Sequence, residues 1–310
     1  MAWDGNLFKF CSGLRVLGYL MILLVGGIVA VSYDAVVVVT CGSLLRLGGV
    51  RCALSVVIIA VFHLLLLLLL WSYFLVVFTD PGSVPQNWQP MADENPVVAS
   101  STASSEYADL EIRSSGWSPS GEPTRRPGIR YCNSCQNVKP PRCHHCSVCQ
   151  RCVLKMDHHC IWVVNCVGAR NYKFFLLFLL YTFLETTLDT LVLLPEFIRF
   201  FGEINSHSSS PGNLAVTFLA FVINLAFALS LLGFVILHLS LLLSNTTTIE
   251  VYEKKTAIGW RYDLGKRKNV EQVFGKKRAY WLLPLYSKED LEKIPALQGL
   301  EFPIRSDAEV

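Results

Sequence analysis

The sequence predicts an all-α polytopic membrane protein: four transmembrane helices, with a cytosolic, zinc-bound, cysteine-rich domain between helices 2 and 3. Three observations predict it. Hydrophobic residues make up 52% of the 310 positions and mean hydropathy is +0.42, too apolar for an ordinary soluble chain. Four stretches, 16–39, 54–78, 173–194 and 214–243, reach the roughly 20 apolar residues that a helix needs to cross the hydrocarbon core. Between Cys132 and Cys166 the chain gathers eight of its eleven cysteines and four of its seven histidines.

Taken in order, residues 1–78 hold the N-terminus and spans 1 and 2. The first apolar stretch is longer than a signal-peptide core and lacks a convincing cleavage site, so it reads as a retained span. The second contains an unbroken leucine run at 64–70, and its one residue of the Asp, Glu, Lys, Arg or His type is His63. Residues 79–129 begin with Asp80-Pro81-Gly82, which closes span 2 as a turn. They continue over 83–127 as a Ser- and Pro-rich stretch without apolar periodicity, the composition of a flexible linker. Residues 130–172 are the cysteine-rich domain, 173–243 spans 3 and 4, and 244–310 a polar tail.

Basic residues orient these elements. Of 27 Lys and Arg, 24 fall before span 1, between spans 2 and 3, or after span 4; the two short loops hold only Arg46, Arg51 and Arg199. The positive-inside rule then puts both termini and the cysteine cluster in the cytosol. That compartment keeps thiols reduced, which argues for metal binding and against disulfides. Cys41 and Cys52 flank the first lumenal loop, where they can pair, although burial at helix ends is the favoured reading.

Paired C-x-x-C spacings with interleaved His mark tetrahedral zinc sites. Two such sites use eight ligands and the cluster offers twelve, so some are left for chemistry. With no long strands in this segment, the metals have to replace a hydrophobic core, and short hairpins are expected around them.

The stretch CNSCQNVKPPRCHHCSVCQRCVLKMDHHCIWVVNCVGARNYKFF, residues 132–175, resembles the cysteine-rich domain of the DHHC protein S-acyltransferases, or palmitoyltransferases. Asp80-Pro81-Gly82, Thr247-Thr248-Ile249-Glu250, and Asn269 with Val273-Phe274-Gly275 look like further motifs of that family, and the details look closest to its plant members. The resemblance implies two structural zinc ions: Cys132, Cys135, His145 and Cys152 would hold one, and Cys146, Cys149, His159 and Cys166 the other. It also implies Cys160 as nucleophile, His158 as base and Asp157 as the group that orients the imidazole. Adjacent residues do not ordinarily face one another, and metal bound through His159 would fold the backbone so that these do. Trp162 is an interfacial anchor or a wall of the acyl site, and the resemblance favours the wall; Glu185 in span 3, costly in lipid, is expected along the acyl cavity or a helix interface. Cys143 is left over from the zinc count, and Ile161 stands where family members commonly have Pro, leaving the loop less rigidly preset.

Acyl-CoA is then the co-substrate. A thioester exchange through an acyl-enzyme would deliver a palmitoyl-type chain to accessible cysteines of proteins at the cytosolic face. Membrane lipids are partners, nucleic acid is not, and the expected location is the Golgi or a related endomembrane, with plasma membrane or ER as alternatives. The main rival is a membrane-anchored RING-like zinc ubiquitin ligase, but a RING ends on a second C-x-x-C pair, whereas five residues separate Cys160 from Cys166. A transporter, suggested by Glu185 and Asp189 within span 3, lacks basic or carboxylate partners elsewhere.

Among the smaller motifs, Thr247-x-x-Glu250 is a capping box for a following helix. Residues 254–278 carry nine basic and two acidic residues, a positive-inside flank that also suits anionic headgroups and the phosphates of coenzyme A.

Overall fold

The computed structural model describes residues 12–86, 88–89, 130–203, 211–253 and 260–305. Most of the expected linker, and the basic residues at 254–255, lie outside these. Among the described residues four helices are long and apolar enough to cross a membrane: Gly18–Leu47, Gly49–Phe78, Tyr172–Phe201 and Gly212–Leu243.

The first is composite: α1 (Ser12–Tyr33) continues through a π-helical stretch, Asp34–Cys41, into α2 (Gly42–Leu47). Thr40 Oγ1 donates to the Ala35 carbonyl five residues back at 2.8 Å, within the widened turn. The expected first lumenal loop is therefore largely helical. Gly48 and Gly49, at φ +70° and +59°, reverse the chain directly into α3 (Gly49–Phe78), a conformation glycine adopts at little cost. Cys41 is buried, its carbonyl accepts from Ser55 Oγ, and Cys41 and Cys52 are both free thiols.

Helix α4 (Tyr172–Glu203) runs past the predicted end at 194 and through Pro195. Aromatic stacking carries it across the proline: Phe197 lies 4.0 Å from Phe221 and Phe200 4.8 Å from Phe218, both on α5 (Pro211–Leu243). α4 packs against both α3 and α5. One apolar core joins Phe62, Leu193, Ala220 and Phe221 to the π-helical residues Ala35 and Val36.

The cysteine-rich segment folds as three antiparallel hairpins: β1 (Tyr131–Cys132) with β2 (Asn137–Val138), β3 (His144–Cys146) with β4 (Arg151–Val153), and β5 (His158–Cys160) with β6 (Asn165–Val167). It sits on the helix bundle through a second core, where Cys160, Val163 and Val167 meet Tyr73 and Val76 of α3 and Phe175 of α4. Buried Asn165 donates to the carbonyls of Val76, Val77 and Thr79, satisfying orphan acceptors at the end of α3.

Asp80-Pro81-Gly82 both ends α3 and fastens this domain. Asp80 accepts from the Gly82 N–H at 2.6 Å and from Arg151 at 2.7 Å, while the Gly82 and Pro81 carbonyls accept from the Leu154 and Arg170 amides. Gly168 lies so close that a Cβ would meet the Leu154 and Pro81 carbonyl oxygens at 2.8 Å, which excludes any side chain there.

The tail forms short helices: α6 (Thr248–Glu253), α7 (Lys266–Phe274), α8 (Lys288–Lys293) and α9 (Pro295–Gln298). The capping box forms as expected: the Thr247 amide donates to Glu250 at 2.8 Å and the Glu250 amide to Thr247 Oγ1 at 3.2 Å. Asn269 Nδ2 donates to the Leu243 carbonyl at the end of α5 and to Asp263, so it joins tail to span. Fully buried Lys173 donates to the carbonyls of Tyr280 and Leu285, and Tyr181 to that of Leu282, so the tail lies along α4.

Candidate active site

The three hairpins repeat one local design. In the first two, a C-x-x-C pair is followed by Gln136 and Gln150, each at φ near +50° with its amide donating to the carbonyl three residues back, on Asn133 and Ser147. In the third, Cys160 takes the place of the first cysteine, Val163 that of the second, and Val164, at φ 52°, that of the glutamine. A β-branched residue there is strained and forms no such side-chain bond.

Register sets the ligands opposite one another. His145 faces Cys152 across β3–β4, and His159 faces Cys166 across β5–β6. Each His–Cys pair meets the C-x-x-C of the preceding hairpin. Cys132, Cys135, His145 and Cys152 form one set and Cys146, Cys149, His159 and Cys166 the other, with the ligand atoms of each within 4.8 Å of one another. Cys135 Sγ lies 3.2 Å from His145 Nδ1, Cys149 Sγ 3.4 Å from His159 Nδ1, and Cys149 Sγ 3.5 Å from Cys166 Sγ. A tetrahedral zinc with ordinary Zn–S and Zn–N bonds needs about 3.6–3.8 Å between such atoms. Both sets are compatible with zinc. With only Val163 beside Cys160 and, among the described residues, no following hairpin, the third unit has no such set there.

Strand alternation explains how His158 and Cys160 come together. They lie two apart on β5 and share a face, while His159 between them turns to the metal set. The strand puts the two side chains on one face, and the metal set that His159 joins lies on the other. His158 Nδ1 is 2.7 Å from Asp157 Oδ2, and the Cys160 thiol lies beside the same imidazole. Burial opposes a charged imidazole, but the hydrogen bonds to Asp157 and Cys160 outweigh it and push His158 up to about 9.

Asp157 is held from the tail. Its Oδ1 accepts from the Thr248 amide at 2.9 Å and its carbonyl from Thr248 Oγ1 at 2.5 Å. Glu250, two residues on, forms a bidentate pair with Arg142 at 2.6 and 2.7 Å, both side chains buried. Arg142 also donates to Asn245 and stacks on Tyr262 and Phe302 at 4.7 and 4.9 Å. A capping box thus also locks the end of α5 to the hairpin carrying Asp157. Buried Lys155, beside Arg142, is pulled down to about 7, first by burial and then by the Arg142 charge.

His158 and Cys160 open into a cavity of about 330 Å³ that runs between the helices. Trp162, Ile161, Phe175 and Phe178 line it near Cys160, and Glu185 and Asp189 line it deeper along α4. The Trp162 carbonyl accepts from Tyr73 and its ring meets Phe227 edge-on at 5.9 Å. Cys143 is buried outside both ligand sets and outside this cavity, and burial pushes its thiol up to about 11. One residue here was not foreseen: His238 of α5, its ring 5.9 Å from that of His158 and its Nδ1 3.4 Å from the Tyr172 hydroxyl. An ionisable group inside a predicted span is the signal that marks it.

Comparison with known proteins agrees with this geometry. The DHHC palmitoyltransferase family description matches residues 126–255. Probable protein S-acyltransferase 12 of Arabidopsis thaliana is 60% identical over 97% of this chain and 99% of its own length. Probable protein S-acyltransferase 14 of the same plant is 58% identical over 99% and 96%. The human palmitoyltransferase ZDHHC20 is 37% identical over 97% of this chain and 80% of its own length.

Proposed function

We infer that this chain, which belongs to the DHHC palmitoyltransferase family, is a protein S-acyltransferase that moves a long-chain acyl group from acyl-CoA to cysteine thiols of other proteins. One observation carries the reading: a thiol left out of both metal sets, paired with a histidine and a buried aspartate, stands at the mouth of an apolar cavity between membrane helices.

Cys160 Sγ gives its proton to His158 and attacks the thioester carbonyl. The carbon–sulfur bond to coenzyme A breaks, and its thiolate leaves with a proton from His158. A substrate cysteine then gives its proton to His158, attacks the acyl-enzyme, and Cys160 leaves reprotonated. Asp157 fixes the His158 tautomer through Nδ1 and favours the imidazolium that forms. Thr248 and the Arg142–Glu250 pair position Asp157. The two Cys3His sets would hold structural zinc, which supplies the domain's fold.

The cavity receives the acyl chain, at about 0.8 kcal/mol per buried CH₂, with Trp162 as a wall. The distribution of basic residues supports a cytosolic side for the cysteine-rich domain and both termini. The domain limits follow the same division, with the Golgi or a related endomembrane as the location. A RING-like ligase would leave Cys160, His158 and the cavity without a use.

Incubation of purified protein with labelled palmitoyl-CoA tests the reading. A hydroxylamine-sensitive label should form and pass to a cysteine-containing protein acceptor, and His158→Ala should slow its formation by about 10²–10⁴-fold. Absence of a thioester label on the folded protein would refute it.

A further inference from the structure

The mouth of the cavity is explained by acyl transfer, but its floor is not. An alkyl chain asks only for apolar walls, and near Cys160 the walls are apolar apart from the His158, His159 and His238 rings at the reacting end. Deeper, Ser32 of α1, Glu185, Thr186 and Asp189 of α4, and Asn224 of α5 join apolar residues such as Phe62 and Leu66 in the lining. Glu185 and Asp189 are 5% and 1% exposed, and none of their four carboxyl oxygens has a hydrogen-bond partner of good geometry, although the Ser32 hydroxyl lies beside Asp189. Asn224 does not serve them: its amide donates to Ser32 Oγ at 2.8 Å and to the Ala220 carbonyl at 2.9 Å. Leaving buried polar groups unmet is costly, and these two face the space the substrate fills.

Depth matters here. Phe175 touches the His158 ring at 5.1 Å. Glu185 and Asp189 lie ten and fourteen residues further along the same helix, about 15 and 21 Å at the α-helical rise. A lipid acyl chain spans one leaflet, about 15 Å of a roughly 30 Å hydrocarbon core. The carboxyl groups therefore stand where the far end of a long acyl chain arrives.

We propose that Glu185 and Asp189 form a hydrogen-bonding subsite for a hydroxyl at the distal end of the acyl group, so that ω-hydroxyacyl-CoA is an acyl donor for this protein. The inference deepens the acyl-transfer reading and rests on it. A hydroxyl both donates and accepts, so it satisfies a carboxyl group in either protonation state. No Lys or Arg is among the described residues lining the cavity, which disfavours an ω-carboxylate facing two carboxyl groups.

The test compares acyl-enzyme formation from palmitoyl-CoA, ω-hydroxypalmitoyl-CoA and ω-carboxypalmitoyl-CoA. Given an equimolar mixture of the first two, wild-type protein should load the hydroxylated chain at least as readily as the plain one, read by the mass of the Cys160 peptide. The hydroxy-to-plain ratio of kcat/KM should fall about tenfold in Glu185→Leu with Asp189→Leu, because a site built to hydrogen-bond a substrate hydroxyl discriminates strongly through it. Glu185→Gln, which keeps hydrogen-bonding capacity, should largely retain the ratio. Wild-type preference for the plain chain by about tenfold or more, preference for the carboxylated chain, or an unchanged ratio in the leucine variant would overturn the proposal. The mixture experiment needs no variant, so misfolding of the substituted proteins leaves it decisive. Failure to load any donor would refute acyl transfer itself, a result distinct from loading with the opposite preference.

Discussion

The second and third hairpins differ by little and do different work. Both begin His-His-Cys, both pair a histidine with a cysteine across the strands, and both turn through a residue at φ 52°. The second continues with Cys149 and Gln150, the third with Val163 and Val164. With Cys149 present, Cys146 joins a four-ligand set; with Val163 in its place, Cys160 has no set to join. On the proposed mechanism, the comparison teaches how a reactive thiol would arise from a structural one: withdraw the neighbouring ligand, keep the backbone, and let the preceding histidine approach it on the same strand face.

The largest effect should come from the metal-bearing hairpin. Cys146→Ser should release one zinc of two, unfold the module that rests on it and abolish activity, as read by metal content and circular dichroism. Full metal content would remove Cys146 from the ligand set. A sharper break is Val163→Cys, which restores the C-x-x-C spacing of the other hairpins. The added thiol gives Cys160 a metal-binding partner, so acylation should become inhibited by added zinc at concentrations the parent tolerates. Equal zinc sensitivity would mean that Val163 is not what keeps Cys160 free. The smallest effect concerns backbone strain. Val164→Gly should raise stability by up to about 1 kcal/mol, measured by thermal unfolding. Gln150→Gly should lower it, since Gln150 bonds the Ser147 carbonyl; the same sign in both would count against the contrast.

Much of this was legible in the sequence, for identifiable reasons. Span length and apolar content announce four helices, and the Thr247–Glu250 capping box is local chemistry that formed as read. The interleaving of ligands between hairpins is a tertiary matter, and spacing alone left it open; the family resemblance supplied the sets into which the ligand atoms gather. The repeat beneath it was visible in Cys132-x-x-Cys135-Gln136 and Cys146-x-x-Cys149-Gln150, but its third copy is masked where Val163 and Val164 replace the signature residues. Helix limits failed where packing overrode local preference: Gly48 makes a reversal too tight to read as a loop, and Phe197 and Phe200 carry α4 through Pro195. The tail's return along α4, through Lys173 to the Tyr280 and Leu285 carbonyls, leaves no periodic trace. His238 stands in no motif, and a lone histidine among apolar residues reads as core.

The most direct test is the Cys160→Ser protein, purified and measured for zinc content and for thioester formation with labelled palmitoyl-CoA in the same preparation. A thiol that is free of metal and performs the chemistry predicts two zinc ions retained, an intact fold and no hydroxylamine-sensitive label. Loss of zinc would make Cys160 a ligand, and a label formed at the wild-type rate would place the nucleophile elsewhere; either result contradicts the assignment.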